Sequence, residues 1–361
     1  MKTVNILVDC HVFDGNLQGT TTYLKGLYQE MIKDKTKMFF LAAFNVENLQ
    51  TVFGIHSNVV YLRYSSQNKF FRLLFDIPKL ITKNKIDYAH FQYIVPPIKK
   101  CNYIVTIHDV LFLDFPQYFP FLYQIKNKFL FKYSANKADV VLTVSQYSKE
   151  KIEEHFGISN VKIISNAIDL VYFEKYNKES EVQIVKNKFN IENYFLFVSR
   201  WEPRKNHHTL LKSFVENSYY KKYKMVFVGD DAIENKSYNQ YYNSLDNTIK
   251  QQVVRLKNIG FQDLIHLVRA SSVSIYPSFA EGFGIPPLET IAAGIPTVCS
   301  NTTAMSDFSF IGNCLFDPTS IEDLNLKIEN ALNDNLLQEK QNTVKIKYNW
   351  ELSAQKLIEL L

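Results

Sequence analysis

Cysteine is scarce in this chain, with four in 361 residues: Cys10, Cys101, Cys299 and Cys314. None stands in a C-x-x-C pair, and no histidine is spaced to complete a zinc site, which excludes a redox dithiol and a zinc finger. The four read as buried free thiols in a reducing cytoplasm. Long apolar runs are missing too. No stretch reaches the ~18 apolar residues of a membrane-spanning helix. Asn5 and Asp9 interrupt the first segment, Met1 to Asp9, so it reads as a strand and not as a signal peptide. No aspartate-rich metal motif occurs. Neither charge sign dominates, since Lys and Arg exceed Asp and Glu by 41 − 36 = 5. That mild excess does not argue for a nucleic-acid binder, no nucleic-acid motif occurs, and it suits anionic substrates or an anionic membrane surface. Charged residues are 21% and hydrophobic residues 46%, which excludes extensive disorder and allows large cores. The length suggests two or three domains.

What is present is organised around Val273 to Ser300. Val273 to Tyr276 is a short β-branched and aromatic strand. Gly282, Phe283 and Gly284 form a loop whose glycines permit backbone conformations closed to other residues. Pro286 and Pro287 suit the first turn of a helix. Gly294 and Pro296 end that helix, and Thr297 to Ser300 is the next strand. Such a unit binds ligands at the carboxyl end of its strand. Two acids mark it: Glu281 before the loop and Glu289, expected in the first helical turn. Bare loop amides and a helix N-terminus attract an anion, while carboxylates accept from hydroxyls. Phosphate plus hydroxyls describes a sugar nucleotide. The plainer alternative is a solvated Glu281 and a Glu289 that only complements the helix dipole.

The same design recurs along the chain. Ile6 to Val8 is a strand, followed by a loop with Gly15 and Gly19 and a helix from Thr20 to Ile32. Gly19 is placed to let backbone approach a ligand, or simply to turn the chain. Strand-like runs follow at 38–43, 59–63, 88–91, 103–107, 140–144 and 161–164, alternating with helices. That alternation predicts a doubly wound parallel sheet. His108 and Asp109 sit at the carboxyl end of one strand, a ligand position in such sheets, although a histidine there is commonly structural. The polar stretch Lys175 to Glu181 reads as the linker. A second series begins at Tyr194, with strands at 195–199, 225–229, 254–256, 273–276 and 297–300. After the first of these come Arg200, Arg204 and Lys205, cations suited to phosphate. The last helix, Trp350 to Leu361, carries Leu352, Leu357, Ile358 and Leu361 on one side.

Two segments mix aromatic and basic residues. One is 68–75, with Lys79, Lys83 and Lys85 beyond. The other is 118–133, with Lys126, Lys128 and Lys132. They read either as helices lying on an anionic membrane or as core-facing helices with a solvated basic face, the latter slightly favoured.

These motifs together resemble glycosyltransferase family 4, nearly end to end. The carriers are Glu281 and Glu289, the segment Ser199 to Asn206, His108-Asp109 with Phe115-Pro116, Ala138-Asp139 and Val144-Ser145, the junction Ile164 to Asp169, Leu315 to Pro318, and Trp350. The chain departs from the family at Gln18-Gly19-Thr20, where Gly-Gly is frequent, and at Ala167, where Gly is usual. The resemblance implies an α/β protein of two facing Rossmann-like domains, the GT-B fold, with the C-terminal helix crossing back. The acceptor-side domain would be 1–172 with 349–361, and the donor domain 173–348. It implies a retaining transferase moving mannose or another hexose from a UDP- or GDP-sugar to a lipid-linked or cell-envelope glycan of the lipopolysaccharide, O-antigen or capsule type. No cofactor and no metal are expected. Arg200 and Lys205 would neutralise the leaving diphosphate and Glu289 would hold the ribose. Glu281 and the amides of Phe283, Gly284 and Ile285 would hold the sugar. Gly260 and Phe261 would meet the base, and Gly19 and His108 would contact the donor from the other domain. A cytoplasmic protein with peripheral contact on the inner face of the plasma membrane follows. Alternatives are a nucleotide-sugar epimerase of the same fold and a binding subunit without catalysis.

Overall fold

The structure is a computed structural model that describes residues 3–15 and 19–361. Gln18, part of the first-loop departure, lies outside the described residues, as do Met1 and Lys2. The chain forms two compact units, 1–167 with 348–361 and 168–347.

The first unit holds seven strands: β1 (Val4–Asp9), β2 (Lys37–Ala43), β3 (Val59–Arg63), β4 (Tyr88–Gln92), β5 (Asn102–Thr106), β6 (Val140–Thr143) and β7 (Lys162–Ile163). Their order is β3-β2-β1-β4-β5-β6-β7, and every pairing is parallel. Helices cover such sheets on both faces, so central strands run apolar without alternation; Ile6, Leu7 and Val8 are each buried completely. The second unit holds β8 (Tyr194–Val198), β9 (Lys224–Val228), β10 (Val253–Leu256), β11 (Val273–Tyr276), β12 (Thr297–Ser300) and β13 (Leu315–Phe316). Their order is β10-β9-β8-β11-β12-β13, again all parallel. In both sheets the first strand lies between the second and the fourth. The strand order therefore reverses between β1 and β4, and between β8 and β11, and ligands of open α/β sheets bind in the crevice at such a point.

The expected linker at Lys175 to Glu181 is not one. A helix, Lys178–Phe189, begins inside it, and the units part at Ala167 and Ile168 instead. The reason is local. Asp169 caps the turn Leu170–Phe173, the Tyr176 hydroxyl donates to Ala293 O, and Lys178 donates to Ser271 O. These bonds tie the segment to the second unit.

The closing helix is Trp350–Ile358. It buries Ser353, Ala354 and Leu357, so of the expected stripe Leu357 is buried while Leu352, Ile358 and Leu361 are half-buried. It packs on the first unit's helix Gly19–Met31. The fit depends on Gly26, where an added Cβ would stand 2.1 Å from the Trp350 indole. Among the thiols, Cys101 is half-buried and the other three are buried.

The basic aromatic segments also depart from the favoured reading. The helix Phe121–Lys137 buries Asn127, Phe131, Ser134 and Ala135. It turns Phe121, Leu122 and Phe129 outward, 70%, 79% and 70% exposed. Phe131 stacks on Tyr93 at 4.9 Å, and Val95 N donates to Ser134 Oγ. Those contacts set the helix rotation and leave the apolar stripe in solvent. Phe70, Phe71, Leu74 and Phe75 are exposed as well.

Candidate functional site

The reversal between β8 and β11 is where the second unit gathers its charged residues. The loop after β8 runs through Arg200 to a short turn, Pro203–Lys205, and then the helix His207–Glu216. Asn206 starts that helix in the left-handed region at φ 60. Its buried amide donates to Pro277 O and Pro318 O, both at 3.0 Å, which pins the loop to the ends of β11 and β13. Phe279 N donates to Arg204 O, and Arg204 donates to Ala280 O. The two loops are thus joined to each other before any ligand is considered.

Across this seam Lys205 Nζ meets Glu281 Oε1 at 2.6 Å, and Arg204 meets Glu281 Oε2 at 3.1 Å. Arg204 also reaches Glu202 at 2.8 Å. Burial would push the Glu281 carboxyl up, but Lys205 and Arg204 outweigh it and hold it down at about 2. Burial lowers the Lys205 ammonium, opposed by Glu281. The expectation set Arg200 and Lys205 on a diphosphate and no cation on Glu281. In the structure Lys205 and Arg204 both pair with Glu281, whereas Arg200 is exposed at the strand end. The sequence groups Arg204 with Arg200 and Lys205 as cations for phosphate, but nothing local announces its pairing with Glu281.

Gly284 opens the helix Ile285–Ala292 at φ +100. A side chain there would be strained and would press Met305 Cγ at 3.0 Å. The amides of Gly284 and Ile285 have no backbone acceptor among the described residues, as first-turn amides do not. Phe283 is buried, edge-on to Phe308. Glu289 lies in the second turn, not the first, because the helix starts only at Ile285. Burial, then the neighbouring Asp169 carboxylate, raises Glu289 to about 7, with the Tyr172 hydroxyl opposing. That hydroxyl is buried without a well-formed hydrogen bond. Asp169 and Tyr172 are the residues sequence reasoning missed here, for no local signal joins them to Glu289. Gly260 caps the helix Phe261–Ala270 with open space beside it, and the Phe261 ring stands exposed, edge-on to Tyr172 at 6.4 Å. Arg200, Lys205, Gly260, Phe261, Glu281, Phe283, Gly284, Ile285 and Glu289 all belong to this unit.

Gly19 and His108 belong to the first unit. Gly19 starts its helix, and the position a Cβ would take there has nothing within 4 Å. His108, 8% exposed, donates from Nε2 to Gln92 Oε1 at 2.8 Å and lies edge-on to Tyr23 at 5.0 Å. Burial lowers it to about 4, so it is neutral at pH 7 with its free lone pair on Nδ1. Gln92 connects onward to His90, which is bonded to Tyr28 and Thr106. No group of three or more His, Cys, Asp or Glu among the described residues is arranged to hold a metal ion.

Two family models match in succession. One, for glycosyltransferase family 4, covers residues 17–172, and one for glycosyl transferases group 1 covers 178–350. The chain is 27% identical to O-antigen chain mannosyltransferase B of Escherichia coli, over 70% of this chain and 68% of that one. It is 31% identical to O-antigen chain mannosyltransferase RfbU of Salmonella typhimurium, over 55% of this chain and 52% of the relative, about half its length. A sucrose-phosphate synthase of Thermosynechococcus elongatus superposes with TM-score 0.76 at 17% identity, covering 99% of this chain and 98% of that one. Anabaena HepE in complex with UDP and glucose superposes with TM-score 0.75 at 16% identity, covering 99% of each chain. At those identities the two structures establish the GT-B fold alone.

Proposed function

We propose, from the premise that this chain belongs to glycosyltransferase family 4, that it moves mannose from a nucleotide-diphosphate sugar to a lipid-linked glycan of the O-antigen type. The mannosyl donor and the glycan class rest on the named relatives. The observation that carries the reading is the meeting of Lys205, Glu281 and the amides of Gly284 and Ile285 at the strand-order reversal of the second sheet. A cation and unbonded amides at one place suit a diphosphate. A carboxylate held ionised beside them suits the sugar carbon as positive charge develops on it.

In this reading Lys205, with Arg200 from the strand end, neutralises the leaving diphosphate, as a divalent cation does in other transferases. Glu289 accepts from the ribose hydroxyls. Phe261 and the open backbone at Gly260 receive the base. His108, neutral and anchored by Gln92, accepts from a sugar hydroxyl through Nδ1. The anomeric configuration is retained, following the family. The outward apolar stripe of Phe121–Lys137, flanked by Lys126, Lys128 and Lys132, seats the first unit on an anionic bilayer where the acceptor lies.

Incubation with labelled GDP-mannose and UDP-hexoses, with and without lipid-linked acceptor, tests this. Mannose should reach the acceptor, in EDTA as well as without it, and product NMR should show retention. Altered sugar released without acceptor would mean an epimerase. Binding with no turnover would mean a catalytically silent subunit. Inhibition by EDTA that Mn²⁺ or Mg²⁺ reverses would overturn the assignment of the leaving-group chemistry.

A further inference from the structure

At the carboxyl end of β1, where the first sheet reverses its strand order, lies a cavity of about 390 Å³ bordered by His11, Asp14, Gly15, Gln67, Lys69 and Arg72. Its floor is an unusual arginine. Arg72 is 7% exposed, and its guanidinium makes no hydrogen bond among the described residues, with Nε wholly buried. Buried polar groups almost always find a partner, so this one calls for an explanation. The nearest carboxylate supplies an ion pair but not a hydrogen bond. Asp9 Oδ2 stands 3.6 Å from Arg72 Nε, beyond hydrogen-bond reach, and Asp9 already accepts from the Tyr64 hydroxyl and pairs with His11. Asp14 spends its two oxygens on the amides of Phe44 and Asn45. Asp76, one turn beyond Arg72, spends its own on Ser65.

Other cations crowd the same place. The Lys69 ammonium is pushed below its ordinary range by partial burial, then by Lys126 and Arg72. Lys69 forms no ion pair among the described residues. Lys69 and Arg72 therefore border the cavity together, and its one carboxylate, Asp14, is already bonded to backbone amides. A planar guanidinium with open N–H groups, beside an ammonium, matches the oxygens of a phosphate. The volume lies within the range of small-ligand sites. Phe70 and Phe71, on the segment that supplies Lys69 and Arg72, are 69% and 42% exposed. An anion bound here would sit beside an apolar surface.

We propose that this cavity binds the diphosphate of a lipid-linked acceptor, through Arg72 and Lys69. The inference rests on the proposed function and adds the acceptor's anionic group to it. The test uses inorganic pyrophosphate titrated calorimetrically into the full chain and its Arg72→Gln, Lys69→Gln and Lys205→Ala variants. Two classes of site are expected in the unaltered protein. Arg72→Gln and Lys69→Gln should each weaken one class roughly tenfold or more and spare the other; Lys205→Ala should do the reverse. Thermal melts accompany the titrations, and Lys69→Gln, an exposed change, carries the test should Arg72→Gln fail to fold. Unchanged isotherms in Lys69→Gln and in a folded Arg72→Gln overturn the inference while leaving the donor reading intact. Loss in those variants with Lys205→Ala unaffected upholds the inference and overturns the donor reading. Competition then separates the sources. Displacement by farnesyl diphosphate supports a lipid diphosphate, and displacement by phosphatidylglycerol vesicles alone assigns the cavity to a phospholipid headgroup and overturns the acceptor assignment.

Discussion

At the scale of single residues, the Lys205–Glu281 pair separates folding from chemistry. Lys205→Ala leaves Glu281 still bonded by Arg204 at 3.1 Å, so the protein should fold with a melting temperature near that of the unaltered chain. Turnover should fall ~10²–10³-fold, the usual loss for one preorganised electrostatic contact. Steady-state rates with circular dichroism melts check both halves. Glu281→Gln is a different case, because Lys205 loses its ionised partner in a buried place while Arg204 keeps only Glu202, at a cost of ~3–5 kcal/mol. The Glu281 contribution is present above its ordinary 4.5 and disappears as pH falls toward about 2. Glu289 runs the other way. Its carboxyl is raised to about 7, so its folded form is favoured below the ordinary 4.5, and that advantage is lost as pH climbs through about 7. Glu289→Gln should therefore raise the melting temperature of the free protein at pH 8 and change it little at pH 5. Ribose hydroxyls donate best to the ionised form, so nucleoside diphosphate affinity should rise between pH 6 and 8. Glu289→Gln should flatten that profile, while Glu281→Gln chiefly lowers the rate of transfer. Equal affinity losses in both variants, measured by calorimetry, would contradict this division.

At the scale of elements, the helix Ile285–Ala292 depends on how it begins. Gly284→Ala places a methyl group at φ +100 and 3.0 Å from Met305 Cγ. The strain is of order 1–3 kcal/mol and falls on the two amides assigned to the donor. Donor affinity should drop along with stability, and calorimetry at a temperature well below the melt distinguishes this from unfolding alone. The same elements show what a sequence discloses. The parallel sheets are legible because buried strands read as short β-branched runs, and Val273 to Tyr276 forms the strand its composition predicts. The glycine and proline punctuation around Gly284 and Gly294 is legible for the same reason. Boundaries that depend on tertiary bonds are not. The stretch Lys175 to Glu181 looks like a linker until Lys178 meets Ser271 O. Arg204 reads as one of three phosphate cations until Glu281 is brought beside it, and nothing near Glu289 in sequence announces Asp169 and Tyr172. The helix Phe121–Lys137 departs from its favoured reading because periodicity shows that an apolar face exists, not which side the core occupies. That side is decided by Phe131 on Tyr93 and by Ser134 under Val95.

At the scale of the whole molecule, basic residues and exposed apolar side chains gather in the first unit, the one proposed above to meet an acceptor on a bilayer. The net charge is only +5, yet Lys69, Lys79, Lys126, Lys128 and Lys132 share the first unit with the exposed Phe70, Phe75, Phe121, Leu122 and Phe129. Monomeric proteins rarely leave such patches uncovered, so they mark contact surfaces. No helix among the described residues is long and apolar enough to cross a membrane; the contact proposed above is adsorption. Each lysine near an anionic surface contributes ~1 kcal/mol, and burying a Leu or Phe side chain contributes ~1.5–3 kcal/mol. The protein should therefore sediment with phosphatidylglycerol vesicles at low salt, and release on raising the ionic strength should be partial, because salt screens the lysines and not the aromatics. Replacing the lysines by Gln, together with Arg72, should lower the salt-sensitive part of the binding. Leu122→Ser with Phe129→Ser should lower the remainder at least ~10-fold. Both helical faces are needed for that outcome. Vesicle binding unchanged by either set would place the contact elsewhere, and no sedimentation at low salt would show that the exposed stripe serves something other than a bilayer.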